Sequence, residues 1–266
     1  MPTLVDFPVY VLDDASLSGR VRAFLEQRSR RMPHMAATDI RSMAVLRLDD
    51  RTEPAPSELV EAMVRFEVRY GGLWYPAVGP NGMEYGLDGD ATVHRSPLGL
   101  AFTGIMDGAR TSGIDILADG QTAWGPGRWS YRVIDRSVDQ RLESHALLVA
   151  VSDWCHRTFT CYTPRDVNPV VDERRLPQPV SEATSPTEFW WLDDDADIAV
   201  QARLSAWPPE RDEWTLRYFA RTPAQAAEAN PTVFGATVHE TVPALWCTLC
   251  SQLIEPGRTC HRKRGR

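Results

Sequence analysis

The sequence predicts an α+β fold: a mixed helix and antiparallel sheet domain with an N-terminal extension and a smaller, β-rich C-terminal region. Three observations carry this. Residues Ser57 to Gly72 form an amphipathic helix pattern with its own start and stop signals, Met83–His94 and Ile114–Trp124 each place an Asp-Gly pair between strand-like runs, and a second helical pattern begins at Ser137. Leu59, Met63, Phe66 and Tyr70 recur at the spacing that aligns them on one helical face, and that face is expected in the core. Ser57 is placed to cap the start, and Glu58 and Glu61 lie near the positive end of the helix dipole. Arg65 and Arg69 lie near its negative end, and Gly71 is placed to close the helix in a left-handed conformation.

The pairs Asp88-Gly89 and Asp119-Gly120 are strong turn formers, so both segments are expected as hairpins. Ser137-Val138-Asp139-Gln140 has the S-x-x-Q form of a capping box, and Val138, Leu142, His145, Ala146 and Val149 continue a helical face. Before these elements, Phe7–Leu12 reads as a strand, Ser18–Arg31 as a short basic helix, Met43–Leu48 as a strand and Asp49–Pro56 as a linker. After them, Val151–Tyr162 is expected to be buried, and the proline-rich stretch Asn168–Pro186 marks a boundary. Ile198–Trp207 and Trp214–Ala220 alternate apolar and polar residues as a strand pair does. Pro223–Ala229 reads as a short helix and Val233–Val242 as a strand. The expected organisation is therefore an extension at 1–55, a domain at 56–151, a linker region at 152–186 and a C-terminal region at 187–266.

The helix ending Phe66-Glu67, two residues, then Tyr70-Gly71-Gly72 resembles the opening helix of the SUKH superfamily, a group of α/β domains that includes many bacterial immunity proteins. The order of helix, two Asp-Gly hairpins and closing helix over residues 56–151 is similar to that family's core. The resemblance implies a non-enzymatic protein that neutralises a toxin by binding it.

Composition supports a soluble, cytoplasmic globular chain. Of its 266 residues, 43% are hydrophobic and 24% charged, and no run approaches the roughly 20 apolar residues that span a bilayer. The five basic residues after Glu255 face no acid, so the preceding chain carries 24 Lys and Arg against 36 Asp and Glu. Such an acidic body repels nucleic acid and attracts a basic partner, as a nuclease-type toxin would be. Glu67, Asp88, Asp90, Asp115 and Asp119, near the ends of expected elements, are the candidate partner-binding residues.

The sharpest chemical signal is C-terminal. Cys247 and Cys250 form a C-x-x-C knuckle, and Cys260 and His261 follow a Pro256-Gly257 turn, a donor set suited to one structural zinc. Because Cys260 and His261 are adjacent, His239 is the alternative fourth ligand. The basic tail from Arg258 could then hold phosphate backbone, which makes a zinc-knuckle, nucleic-acid-associated regulatory protein the alternative function. His239-Glu240 with C-x-x-C does not match the zinc-deaminase signature, since the histidine and glutamate are adjacent rather than separated. His94, His145 and His156 read as structural residues, as do Cys155 and Cys161, and the Phe189-Trp190-Trp191 run reads as core. The sequence holds no H-E-x-x-H, no G-x-S-x-G and no phosphate-binding glycine loop.

Overall fold

The computed structural model describes residues 9–76, 84–107, 113–125, 130–169, 172–204, 212–228, 238–241, 245–247 and 252–254. The chain is α+β, with α1 (Gly19–Arg28), α2 (Ala37–Met43), α3 (Ser57–Tyr70), α4 (Val138–Ala150) and α5 (Pro223–Ala227) set among largely antiparallel sheets. It divides into two compact units, with a boundary between Asp139 and Gln140 inside α4. Among the described residues no helix is long and apolar enough to cross a membrane.

In the first unit, α3 buries the expected face through Leu59, Met63, Phe66 and Tyr70, together with Glu67. Its start differs from expectation. Pro56, with its fixed φ, occupies the cap position and Ser57 is the first helical residue. The segment expected as a linker also has a structural role: Thr52–Pro54 pairs antiparallel with Val45–Arg47, and the Leu48 N–H donates to the Arg51 carbonyl at 2.8 Å to close the turn. Val45 and Leu46 pair in parallel with Thr92 and Val93, and Arg30–Arg31 pairs with Leu73–Trp74. The first 55 residues thus contribute strands to the sheet of this unit. Val11 and Leu12, expected within a strand, belong to the 3-10 turn Val11–Asp13; residues 7 and 8 lie outside the described residues.

The central strand, Gly99–Asp107, explains why one expected hairpin is absent. Glu84–Leu87 pairs with its residues 105–107, and Thr92–Ser96 pairs with its residues 99–102. The two flanking strands therefore share one partner, and Asp88–Ala91 is an excursion between them where the central strand bulges between Thr103 and Ile105. The hairpin in this region turns instead at Pro97-Leu98. The second expected hairpin is present: Gly113–Leu117 pairs with Thr122–Trp124, and Gly120 takes φ +87 in its turn.

The second unit contains a six-stranded sheet ordered Gln178–Pro179, Glu188–Asp193, Ile198–Leu204, Asp212–Ala220, Cys155–Thr163 and Val238–Thr241. Neighbouring side chains on a strand point to opposite faces, so Trp190 and Trp191 enter different cores. Trp190 packs with Leu147, Leu148 and Val151 of α4 and with Phe219, while Trp191 packs with Phe159, Cys161, Trp214 and Leu216. The same alternation separates His156, which lies against Phe219, from the buried Cys161. Part of the stretch expected as a boundary, 168–186, is packed into this unit: Gln178–Pro179 pairs with Trp191–Leu192, and Val180 and Ala183 join the Trp190 core.

Trp190 also organises a buried polar network. Its Nε1–H donates to Ser144 Oγ at 3.1 Å and Glu188 Oε1 at 2.9 Å, Gln201 donates to the same Glu188 oxygen, and Arg217 donates to Gln201 Oε1. Removing the indole donor while keeping an aromatic ring leaves these acceptors without one of their donors. Trp190→Phe is expected to lower unfolding stability in urea by about 1–3 kcal/mol, and Trp190→Ala by about 3–5 kcal/mol; an unchanged denaturation midpoint in Trp190→Phe would show the network to be energetically idle.

Candidate functional site

The site is built around α3 and the glycines that follow it. Glu67 is i+4 from Met63 and i−3 from Tyr70, which places its carboxylate on the buried face of the helix. Only 1% of the residue is exposed. Its Oε1 lies 2.8 Å from His34 Nδ1, and its Oε2 accepts from the Gly89 N–H at 3.2 Å. An Arg31 Nη2 lies 3.2 Å from His34 Nε2. Because a guanidinium only donates, Nε2 is the acceptor and Nδ1 carries the proton given to Glu67.

The two glycines fit this arrangement by different means. A Cβ on Gly71 would stand 2.4 Å from Glu67 Oε1 and 2.5 Å from His34 Nδ1, so any side chain here would displace the pair. Gly71 itself has an ordinary φ of −52; the left-handed residue is Gly72, at φ +75, whose carbonyl accepts from Met32 and whose N–H donates to the Leu87 carbonyl. Tyr70 completes the motif by donating its hydroxyl proton to Asp139 Oδ1 at 2.9 Å. Arg69 pairs with the same carboxylate and with Asp14.

Through Gly89, Glu67 fixes the excursion between the two short strands. The Asp88 N–H donates to the Gly104 carbonyl at 3.0 Å, the Ala91 carbonyl accepts from Val45 at 3.1 Å, and Asp90 Oδ1 accepts from the Thr92 N–H at 3.0 Å. Ala91 sits at φ 55, a strained position for alanine that these bonds hold. Beside the excursion opens a cleft of about 560 Å³, lined by His34, Met35, Trp74, Asp88, Asp90 and Met106 among others.

The five acidic residues expected at a partner surface divide by exposure. Asp88 is half-buried, and Asp90 and Asp119 are exposed. Glu67 lies in the last turn of α3, whereas Asp115, expected near an element end, is the middle residue of the strand Gly113–Leu117; both are withdrawn from solvent, with their oxygens occupied. Asp115, 9% exposed, accepts from His94 at 3.0 Å, Thr103 at 3.0 Å and Tyr131 at 2.6 Å. Burial raises its pKa, but the bonds from His94 and Tyr131 outweigh that and hold it low; the same pairing with Asp115 raises the pKa of His94. For a partner surface the accessible carboxylates are therefore Asp88, Asp90 and Asp119.

His145 and Cys161, read from the sequence as structural, and the expected metal ligands are placed as follows. His145 is buried in α4, where desolvation, then Arg141 and Arg203, push its pKa well down. Cys161 is a buried free thiol whose pKa burial raises to about 11. Cys250, Cys260 and His261 lie outside the described residues, and of Cys247 and His239 only the strand placement is described. Among the described residues no group of three or more His, Cys, Asp and Glu is arranged to hold a metal. Sequence reading missed His34, the tie between Gly89 and Glu67, and the cleft; the one available signal was Glu67 lying within the apolar stripe of α3. Comparison with known proteins identifies no relative: no family model, no curated protein and no solved structure matches the chain.

Burial, reinforced by Asp88, outweighs the bonds from Gly89 and His34 and pushes the Glu67 pKa from 4.5 up to about 7. Between these values the unfolded chain has released a proton that the folded chain retains, so folding stability falls as pH rises through this window. Glu67→Gln keeps an acceptor for Gly89 and is expected to flatten the stability profile between pH 4.5 and 7. Glu67→Ala leaves the buried Gly89 N–H unsatisfied and is expected to cost about 2–4 kcal/mol. Urea unfolding at several pH values checks both; a profile of unchanged slope in Glu67→Gln would remove Glu67 as its source.

Proposed function

We propose that the chain is a non-catalytic binding protein of SUKH type, an immunity protein that acts in the cytoplasm and neutralises a basic, nuclease-type bacterial toxin through an acidic surface. The resemblance at Phe66-Glu67 and Tyr70-Gly71-Gly72 supports the family. The observation that carries the binding role is the fixed excursion at Asp88–Ala91, where Asp88 and Asp90 stand beside an open cleft on a backbone already held by Glu67, Gly104, Val45 and Thr92. A nuclease presents a basic groove to its substrate. A rigid acidic surface can occupy such a groove with little ordering cost and with electrostatically steered association.

One observation favours a second reading, a zinc-knuckle protein associated with nucleic acid. Leu245–Cys247 pairs antiparallel with Gln252–Ile254, with Cys247 opposite Gln252, so the C-x-x-C sequence runs from a strand end into the connection between the two strands. The two thiolates of a C-x-x-C sequence are donor chemistry for structural zinc, with Cys260 and either His261 or His239 as the other ligands. The metal would tie the C-terminal hairpin to the basic tail, and the tail would contact phosphate.

Co-expression with proteins encoded beside this chain tests the first reading. A neighbouring toxin is expected to co-purify, with affinity that falls as salt rises, and growth is expected to be rescued; no binding and no rescue would overturn it. Metal analysis tests the second. Purified protein is expected to hold about one zinc per chain, lost in Cys247→Ser/Cys250→Ser, and metal-free protein of equal stability would overturn it. Deleting residues 247–266 separates the readings, since toxin binding survives the deletion and nucleic-acid binding does not.

A further inference from the structure

We propose that His34 is a proton-operated latch: when the Glu67–His34 pair takes up a proton, hydrogen appears on His34 Nε2 and releases the Arg31 guanidinium, while the bond from Gly89 to Glu67 stays. The donors and acceptors around the pair carry this inference. His34 Nδ1 faces two acceptors, Glu67 Oε1 at 2.8 Å and the Met35 carbonyl at 3.2 Å, so it holds the ring hydrogen. Nε2 faces an Arg31 nitrogen at 3.2 Å that can only donate, so it holds the lone pair. The ring is seated on the turn after α3. A Cβ on Gly71 would stand 2.5 Å from Nδ1, and one on Gly72 would stand 3.0 Å from Cδ2.

An added proton can bind at either Glu67 oxygen or at Nε2, and each choice sets two donors against each other. On Oε2 it opposes the Gly89 N–H, a buried group 3.2 Å away that would lose its acceptor. On Oε1 it opposes the Nδ1 hydrogen, and the conflict is relieved when the imidazole carries its hydrogen on Nε2 instead. On Nε2 itself it leaves both Nδ1 contacts intact. The last two routes end alike, with hydrogen on Nε2 facing Arg31. Stranding a buried N–H costs more than parting an exposed guanidinium that water can solvate. Arg31 is exposed and keeps the Tyr10 ring, 4.0 Å away. The latch therefore opens at Arg31. Arg30 beside it is paired with Glu84, so Arg31 is the cation that the step sets free on the strand Arg30–Arg31.

The surrounding groups set where the step falls. Burial, reinforced by Asp88 from the excursion, outweighs the bonds to Glu67 and lifts its proton affinity into the neutral range. Across the cleft His34 meets Asp88 and Asp90 on the excursion, and Thr103 and Met106 on the central strand, which do not titrate. On α2, which packs against α3, Arg41 is paired with Glu61. Arg31 is thus held above neutral pH and free below it.

The test is a pH titration of the full-length protein, isotope-labelled in histidine and arginine, from about pH 9 to about pH 5, a range that spans the ordinary histidine value. Ring-nitrogen and guanidinium NMR shifts are read at each point, and the His34 signals are assigned by their loss in His34→Gln. Above the step Nδ1 is expected to carry hydrogen and Nε2 to be bare. Through it, Nε2 is expected to gain hydrogen and the Arg31 shift to become that of a solvated arginine, with the Gly89 protection factor unchanged. Arg31 and the proton compete for one lone pair, so Arg31→Ala should move the step up by about half a pH unit. Glu67→Gln removes the charge that favours the added proton and should move the step down by about one pH unit or more. Arg31 lies outside the core, so its variant keeps the test readable if Glu67→Gln does not fold. Hydrogen on Nε2 above the step, a step unmoved in Arg31→Ala, or loss of Gly89 protection while Arg31 stays held would each overturn the proposal.

Discussion

The first unit depends on one buried carboxylate. Glu67 is 1% exposed, yet its two oxygens tie together three stretches of chain distant in sequence: α3, the segment carrying His34, and the excursion carrying Gly89. Taking a carboxylate out of water is costly, and a buried one that loses its partners is destabilising. The surroundings are shaped to prevent that. Gly71 leaves the space in which His34 approaches, and Gly72 turns the chain so that its N–H reaches the Leu87 carbonyl, immediately before the excursion. The proton affinity of Glu67, raised by burial and by Asp88, records the balance between desolvation and these bonds.

That constraint explains the form of the surface. A strand interrupted opposite the bulge at Thr103–Ile105 would leave backbone groups unpaired, and the excursion instead satisfies them with Gly104, Val45 and Glu67. The result is a short acidic segment whose shape is set from beneath. The second unit uses a different device, an indole donor on a buried glutamate, to fix its sheet beneath α4.

Much of the local structure was legible in the sequence because it rests on period and turn chemistry. The stripe of Leu59, Met63, Phe66 and Tyr70 fixed α3, the alternation over Ile198–Ala220 fixed a strand pair, and Asp119-Gly120 marked a hairpin. The Asp88-Gly89 pair shows where such reasoning stops. Its local chemistry matches the other turn, but which edge a strand joins is decided by a third strand, and Gly99–Asp107 takes both neighbours. Likewise a glutamate at the end of a helix reads as a surface charge until its place in the stripe is weighed. His34 carries no periodic signal, because its role arises only when its segment folds back against Gly71 and Gly72. The candidate site was therefore half legible: Asp88 and Asp90 by charge, and the support beneath them only in three dimensions.

Fold and function meet at one bond, from the Gly89 N–H to Glu67 Oε2. If that bond shapes the acidic segment, the binding surface is a consequence of the helix core and not an independent loop. Native-state hydrogen exchange at the Gly89 amide tests this most directly. The amide is expected to be protected in the native chain and fast-exchanging in Glu67→Ala, while the amides of the paired strand Glu84–Leu87 stay protected. Equal exchange at Gly89 in the two proteins would contradict it.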